Sequence, residues 1–205
     1  MPGHAARRTV LGMATAVLDM SMSLDGFIAG PDDSPELPGG AGFSLHDWIG
    51  DPDAPESAAG RDRELMDAVR DAGAILSGRR TAEQAGHWGG DHHGMGVPIF
   101  VVSRRAPSAE VAAHPLVHYV ADVADAVRQA KQAAGDRRVH MIGAAWVPAA
   151  LEAGAVDEIQ IHHVPLLLGA GRRLFDVLPA PIRLEIVEVI STPRATHVRY
   201  RVHYD

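Results

Sequence analysis

Two pairs of adjacent arginines, Arg79-Arg80 and Arg104-Arg105, each follow a short apolar run, Ala74 to Ser77 in one case and Pro98 to Val102 in the other. A third such run, Val139 to Ile142, ends in Gly143. Guanidinium groups match phosphate oxygens through paired donors, and a turn leading from a strand into a helix adds backbone N–H donors and a favourable dipole. If the three runs are neighbouring strands, the four guanidiniums converge on one edge of a sheet, as a dinucleotide phosphate requires. Two arginine pairs exceed what a pyrophosphate needs and point to the additional ribose phosphate of NADPH. The competing reading of each pair is ordinary solvated charge. The dinucleotide fingerprint of three spaced glycines is absent.

The elements that must position these residues follow from periodicity. Residues 16 to 23 read as a first strand ending in a turn at Asp25-Gly26, and Pro31 to Pro55 reads as a long irregular loop with an apolar cluster, Phe43, Leu45, Trp48 and Ile49. A loop of that length with buried-type residues suits the lid or wall of a pocket. Arg61 to Ala72 carries Leu65, Met66 and Val69 at helical spacing and stops at Gly73, the glycine expected past a helix end. A second helix is capped by Asp122, presents Val123, Val127, Ala130 and Ala134 on one face and closes at Gly135. A third has Pro148 in its first turn and Gly154 at its end. Apolar strands alternating with helices imply a parallel sheet covered on both faces, with ligands beyond the carboxyl ends of its strands. Asp157 to Leu168 reads as another strand. Two more, about 183 to 191 and 196 to 204, form a hairpin turning at Thr192-Pro193. In the last strand Val198, Tyr200, Val202 and Tyr204 face one way, while His197, Arg199, Arg201 and His203 face a solvated side.

With 205 residues and 46% hydrophobic content, the chain can build one core, and a single domain over 17–205 is expected. The net charge of -7 gives no incentive to bind nucleic acid or anionic lipid, and the lack of cysteine excludes disulfides, thiolate metal sites and a cysteine nucleophile. Arg7-Arg8 before the apolar Val10 to Leu18 superficially resembles an export signal. The run is short, lacks a convincing cleavage site and continues into the first strand, so residues 1–16 are expected to be a disordered leader ahead of an internal start at Met13. No run is long enough to span a membrane, and a cytoplasmic protein is expected.

Ser23-Leu24-Asp25-Gly26-Phe27-Ile28-Ala29, Ala74 to Thr81, Val102-Ser103-Arg104, Ile142-Gly143, Val156-Asp157-Glu158-Ile159 and Pro165 to Phe175 occur in one order. Together they resemble, over residues 17 to 204, the dihydrofolate reductase-like family that includes the C-terminal reductase domain of the bifunctional riboflavin-biosynthesis deaminase-reductase. The resemblance implies an α/β fold: a mixed, mostly parallel central sheet with helices on both faces and a C-terminal antiparallel hairpin. It also implies NADPH across the carboxyl edge and a homodimer. It assigns the adenosine and 2′-phosphate side to Gly78, Arg79, Arg80, Thr81, Ser103 and Arg104, and the pyrophosphate and nicotinamide side to Gly143, Ala144, Ala145 and Trp146. Relatives often carry Gly-Gly at that last turn, sometimes as a cis peptide; this chain has Gly143-Ala144, whose methyl narrows the backbone approach to the cofactor.

On the substrate side, Asp25 is near where the family places nicotinamide and substrate, and its carboxylate, the catalytic candidate, could orient a ring nitrogen or polarise a water for proton donation. A turn-capping role before Gly26 is the competing reading. Trp48 could stack on a planar heterocycle and His46 could donate a proton or bind phosphate, with Trp48 as a plain anchor of its loop the alternative. Among twelve histidines, the adjacent His162 and His163 point to opposite faces of a strand and cannot chelate one ion. His92 and His93, with His87 and Asp91 near them, suit zinc in principle, but a solvated loop is the reading adopted and no metal is assigned. The expected activity is hydride transfer from NADPH to a C=N or C=O carbon of a small pyrimidine- or pterin-type substrate. A non-catalytic nucleotide-binding module with the same fold is the alternative.

Overall fold

Short aliphatic runs that are buried on both faces need a neighbour on either side, and the strands of this chain supply them to one another. The computed structural model describes residues 14–50, 60–178 and 180–204. Its main sheet has the order β5 (Val117–Val120), β4 (Ile99–Val102), β3 (Ala74–Gly78), β6 (Val139–Ile142), β1 (Ala16–Ser23), β7 (Glu158–Val164), β10 (Thr196–His203) and β9 (Arg183–Ser191). The first six run parallel; β10 is antiparallel to both β7 and β9. A small second sheet pairs β2 (Phe27–Ala29) with β8 (Arg172–Arg173). This is the mixed, mostly parallel α/β architecture expected from sequence, with the hairpin where it was placed.

Five α-helices are described: α1 (Gly60–Arg70), α2 (Arg79–Gln84), α3 (Ala109–Ala112), α4 (Val123–Ala134) and α5 (Val147–Glu152). Asp122 caps α4 by accepting from the Asp125 N–H at 2.8 Å, and the stripe Ala126, Val127, Ala130, Ala134 is buried. That stripe, with α5, covers Leu18, Leu76, Phe100, Met141, Ile159 and Ile161 of the sheet. Burying each such side chain stabilises the fold by about 1.5–3 kcal/mol. On the opposite face the alternation divides. Ile75, Ile99 and Val101 form a second apolar cluster, whereas β6, β1, β7 and β10 present His140, Asp19, Ser21, Gln160, His162 and His197, all buried or nearly so. The 3-10 segment Gly40–Ile49 lies against this polar half through Leu45 and Trp48, both buried.

Three expectations require correction. His197 does not face solvent; only 1% of it is exposed, because Trp48 and α1 cover the end of β10. The rest of that side does form an exposed ladder, Arg199 with Glu188 and Arg201 and His203 with Glu185. Ala14 and Ala16, assigned to the leader, are buried, and Ala16 opens β1 with its N–H donating to Asp157 at 2.7 Å. The remainder of the leader, residues 1–13, and the end of the long loop, 51–59, lie outside the described residues.

Gly73, expected as a left-handed helix end, does not have a positive φ. It is needed for proximity: a Cβ there would sit 2.6 Å from the Ala134 carbonyl oxygen and 2.7 Å from its Cα, and backbone on both sides leaves no room to yield. Gly73→Ala is therefore expected to destabilise the protein by about 1–3 kcal/mol through overpacking of α4 against the sheet. A denaturant midpoint unchanged from the parent would refute this account of the contact.

Candidate active site

Because β4, β3, β6 and β1 run parallel, the chain leaves all four at the same edge. There it turns tightly. A Cβ on Gly78 would lie 2.8 Å from the Trp146 indole, and Gly143 adopts φ +107°, where a Cβ would also crowd Thr81 and Trp146. The Gly143 N–H donates to the Met20 sulfur at 3.2 Å, and no cis peptide occurs among the described residues, so the Gly143-Ala144 bond is trans. Between these turns and the Gly40–Ile49 segment lies a cleft of about 1220 Å³. It brings together Gly78, Arg79, Arg80, Thr81, Ser103, Arg104, Gly143, Ala144, Ala145 and Trp146, every residue that the family resemblance assigns to the nucleotide, but not Arg105, the fourth guanidinium expected there.

The guanidiniums on this rim differ in their commitments. Arg79 donates from Nη1 to both carboxylate oxygens of Glu83, at 2.7 and 2.9 Å. Arg80 grips the Asp33 carboxylate at 2.8 and 3.1 Å, Gln84 donates to the same carboxylate at 2.6 Å, and Arg172 stands 3.7 Å from it. Burial alone would raise the Asp33 pKa, but hydrogen bonds from the Gly39 N–H, Arg80 and Gln84 outweigh it and hold the carboxyl below its ordinary value. Arg80 is thus a clamp on the 30–39 loop before it meets any ligand. Arg104, exposed at the end of β4, has no carboxylate partner among the described residues and lines the cleft beside Asp122 and Val123 at the start of α4. Arg105, its neighbour, does not line the cleft.

The cleft leads into a smaller compartment of about 330 Å³ over the polar half of the sheet; Met20, Ser21, His46, Thr81, Trp88 and Gly143 line both. His46 stands at their shared wall, its Nδ1 3.2 Å from the Phe43 carbonyl. Trp48 lines only the inner compartment. Its indole N–H donates to Ser21 Oγ at 2.8 Å and its ring lies 4.1 Å from that of His162, so one face is already covered and the residue anchors its loop. Opposite are Trp88, His92 and His93, from a turn in which His87, Trp88 and His93 all have positive φ. Left-handed backbone costs about 1 kcal/mol or more at each non-glycine residue, and such strain collects where side chains must be aimed. This turn is not the solvated loop expected: His87 and His92 are buried, and burial, with His140 and His93 nearby, pushes the His92 pKa down to about 3.

Asp25 requires the largest correction. It lines neither cavity. Its carboxylate accepts from Ser23 Oγ at 2.6 Å and from the Leu168 and Gly169 N–H groups at 3.1 and 2.7 Å. Those hydrogen bonds, Ser23 first, lower its pKa to about 2, so it holds no proton to give near neutrality. It pins the β1–β2 turn to the 166–169 segment, the capping role weighed against catalysis. Besides His46, His92 and His93, the inner compartment is lined by Asp19, His140 and His162, to which no role in a site was given from the sequence. Their signal was present as polar residues at every second position of otherwise apolar strands: Leu18-Asp19-Met20-Ser21, Val139-His140-Met141 and Gln160-Ile161-His162.

A mostly parallel sheet closed by an antiparallel hairpin, with a basic cleft along the carboxyl edge of its central strands, defines the dihydrofolate reductase-like class. Residues 14–198 match the model of the RibD C-terminal domain, and the chain belongs to that family. No curated protein matches the chain. A putative riboflavin biosynthesis protein from Shewanella sp. PV-4 superposes with a TM-score of 0.70 at 19% identity, covering 93% of this chain and 99% of that one. A pyrimidine reductase-like protein from Corynebacterium diphtheriae gives 0.61 at 14% identity, with 96% and 94% covered. Acinetobacter baumannii RibD gives 0.61 at 16% identity; 94% of this chain is covered but only 59% of that longer one.

Asp25 generates a prediction with a defined sign. Its folded-state pKa lies below the ordinary 3.8, so the ionised group stabilises the fold above about pH 4 and that contribution fades as pH falls toward 2. Asp25→Asn should lower the Tm near neutral pH, and the gap from the parent should narrow as acid is added. A gap independent of pH would show that the carboxylate charge does not hold the turn.

Proposed function

We propose that this protein is an NADPH-dependent reductase that transfers hydride to a C=N or C=O carbon of a small planar heterocycle of pyrimidine or pterin type. The observation that carries the reading is the joining of the two cavities: an elongated basic cleft on the strand edge opens, past Gly143 and Met20, into a compartment whose size suits one ring system. Family membership supports the same reading. One relative of this fold, from Thermotoga maritima, is described as a diaminohydroxyphosphoribosylaminopyrimidine deaminase/5-amino-6-(5-phosphoribosylamino)uracil reductase.

The residues present fit the cofactor. Glycine is required at 143 by its positive φ and at 78 by the Trp146 indole, which keeps the backbone at this turn open to a close ligand. Arg104 supplies a cation not neutralised by a neighbouring carboxylate, and Ser103, Thr81 and the start of α4 lie along the same wall. When bound, NADPH supplies the hydride; the chain's part is to orient both reactants, exclude water from the inner compartment and provide a proton. Arg104→Ala is expected to weaken NADPH binding about tenfold, the loss of roughly one charge-assisted hydrogen bond, while leaving NADH affinity unchanged. Fluorescence titration with both nucleotides reads this directly, and a protein that binds no NADPH at millimolar concentration would overturn the reading.

We further propose that a second copy covers the outer face of β9. Leu184, Ile186 and Val189 are exposed there. A bulge opposite Arg199-Tyr200 sets them across from Val202, Tyr200 and Val198, on one face of the hairpin. Ile186→Glu should convert a dimer to a monomer in sedimentation equilibrium; a parent protein that is already monomeric refutes the assignment.

A further inference from the structure

Four side chains outside the cofactor cleft form an unbroken line of contacts along the polar half of the sheet. Asp62 on α1 meets His197 on β10, Oδ1 to Nε2, at 3.1 Å. His197 meets its cross-strand partner His162 on β7, Nδ1 to Nδ1, at 2.6 Å. His162 meets Asp19 on β1, Nε2 to Oδ1, at 2.7 Å. Trp48 lies over both imidazoles, with centroids at 4.1 and 4.9 Å. The inner end opens on the 330 Å³ compartment, whose wall includes Asp19, His162 and His140. His140 Nδ1 is buried without a hydrogen-bond partner, 3.8 Å from the second oxygen of Asp19.

Proton counting over this line gives a definite result. Each of the three contacts needs one bridging proton, and two nitrogens 2.6 Å apart with no proton between them would repel. Two neutral imidazoles bring only two protons. The third makes the histidine pair an imidazole–imidazolium, a single positive charge between two carboxylates, which is how a buried charge is tolerated. Burial and the neighbouring His162 push the His197 pKa down, against Asp62 and Asp19, which raise it, so the short hydrogen bonds and the two flanking carboxylates are what hold the third proton. Although burial opposes it, His162 holds the Asp19 carboxyl below its usual range. Burial keeps His140 neutral, and His46 and His163 are the other titratable groups that feel His162. Asp62 is the outermost member, flanked on α1 by the exposed Arg61 and Arg63.

We propose that Asp62, His197, His162 and Asp19 form a proton relay that stores one proton and delivers it into the inner compartment, where it completes the reduction of the substrate. The inference rests on the reductase reading above. The substrate carbon gains a C–H bond with the hydride electron pair, the C=N or C=O π bond opens onto its nitrogen or oxygen, and that atom takes the relay proton. NADPH leaves as NADP⁺. The His162 Nε2 proton passes to Asp19 and on to the substrate, the Nδ1 bridging proton moves from His197 to His162, and the two imidazoles, now both neutral, regain their third proton from solvent. His140 Nδ1 and the free Asp19 oxygen form the polar edge that holds the ring at the delivery point.

The test uses the whole protein without substrate first. Ring-nitrogen NMR of the histidines near neutral pH should show a far-downfield bridging proton and one imidazolium shared by His162 and His197. Asp62→Asn should abolish the shared charge while the fold, followed by its Tm and backbone spectrum, persists. Two neutral histidines in the parent overturn the proposal, and so does a spectrum unchanged in Asp62→Asn. With NADPH and 5-amino-6-(5-phosphoribosylamino)uracil as the probe pair, Asp62→Asn should lower kcat about 100-fold and raise the solvent deuterium isotope effect, with KM and NADPH affinity nearly unchanged. An unaltered kcat overturns the relay. Failure of the parent to bind NADPH overturns the reductase reading instead, and failure to turn over this probe overturns the probe's substrate class. In both cases the NMR result decides whether the stored proton exists.

Discussion

Parallel pairing of β3 with β4 on one side and β6 on the other is the constraint from which the site follows. Strands that run the same way must release the chain at the same edge, so three reversals with no sequence proximity, at Gly78, Ser103 and Gly143, are forced side by side. Once there they compete for space. Gly78 and Gly143 are the concession, because the Trp146 indole occupies the volume that a side chain at either would need. The same indole N–H reaches back to the Ile142 carbonyl at 3.4 Å. The floor of the cleft is thereby tied to the strand that carries it, so it can be open to a ligand while remaining part of the core.

Burying six polar side chains on one half of a sheet face would be ruinous if they lacked partners, since an unsatisfied buried group costs about 1–3 kcal/mol. The chain avoids most of that cost by satisfying them with one another and with the loop that covers them. Trp48 is the hinge of this arrangement: it contributes apolar area, gives Ser21 a donor and lies on His162. Asp62 approaches from α1 to close the line at the other end. Two buried side-chain polar atoms among the described residues lack a hydrogen-bond partner, His140 Nδ1 and Arg199 Nε, and the first is on the wall of the compartment rather than inside the packing.

The sequence made the frame legible because the frame is built from local patterns. The run Val139 to Ile142, the Asp122 cap and the hairpin turn at Thr192-Pro193 are short-range signals that tertiary contacts reinforce. β5 escaped because half of Val117–Val120 is polar or aromatic and its burial is incomplete at an edge. The gathering of residues at the rim was legible from residue type plus the assumption that the strands are neighbours. The inner compartment was not, for a physical reason. Asp19, His140, His162 and His197 come from four different strands, and a polar residue at alternate positions ordinarily means solvent. Only the cover supplied by Gly40–Ile49, a segment with no regular periodicity, turns that solvated face into an interior. Asp25 erred in the opposite direction: a carboxylate at a turn beside the expected site was more conspicuous than those inside it, yet its oxygens were already spent on Ser23, Leu168 and Gly169.

The rim and the compartment place different demands on a ligand. Glu83 and Asp33 already neutralise Arg79 and Arg80, and a phosphate that engaged either would have to compete with that carboxylate. Such exchange gains little, because one charge-assisted pair replaces another. The favourable electrostatic increment at the rim therefore concentrates on Arg104, while Arg80 serves the cleft by fixing the position of the loop that bounds it. On the proposed reading, discrimination among substrates comes from the inner compartment instead. There a ligand lacking the complement to His140 would leave its Nδ1 desolvated and unpaired, and sites of that kind reject analogues far more strongly than apolar pockets do. On the proposed reading the two cavities divide the work: the open, partly self-neutralised edge takes the long charged ligand, and the smaller compartment, with Asp19, His140 and His162 on its wall, receives the ring.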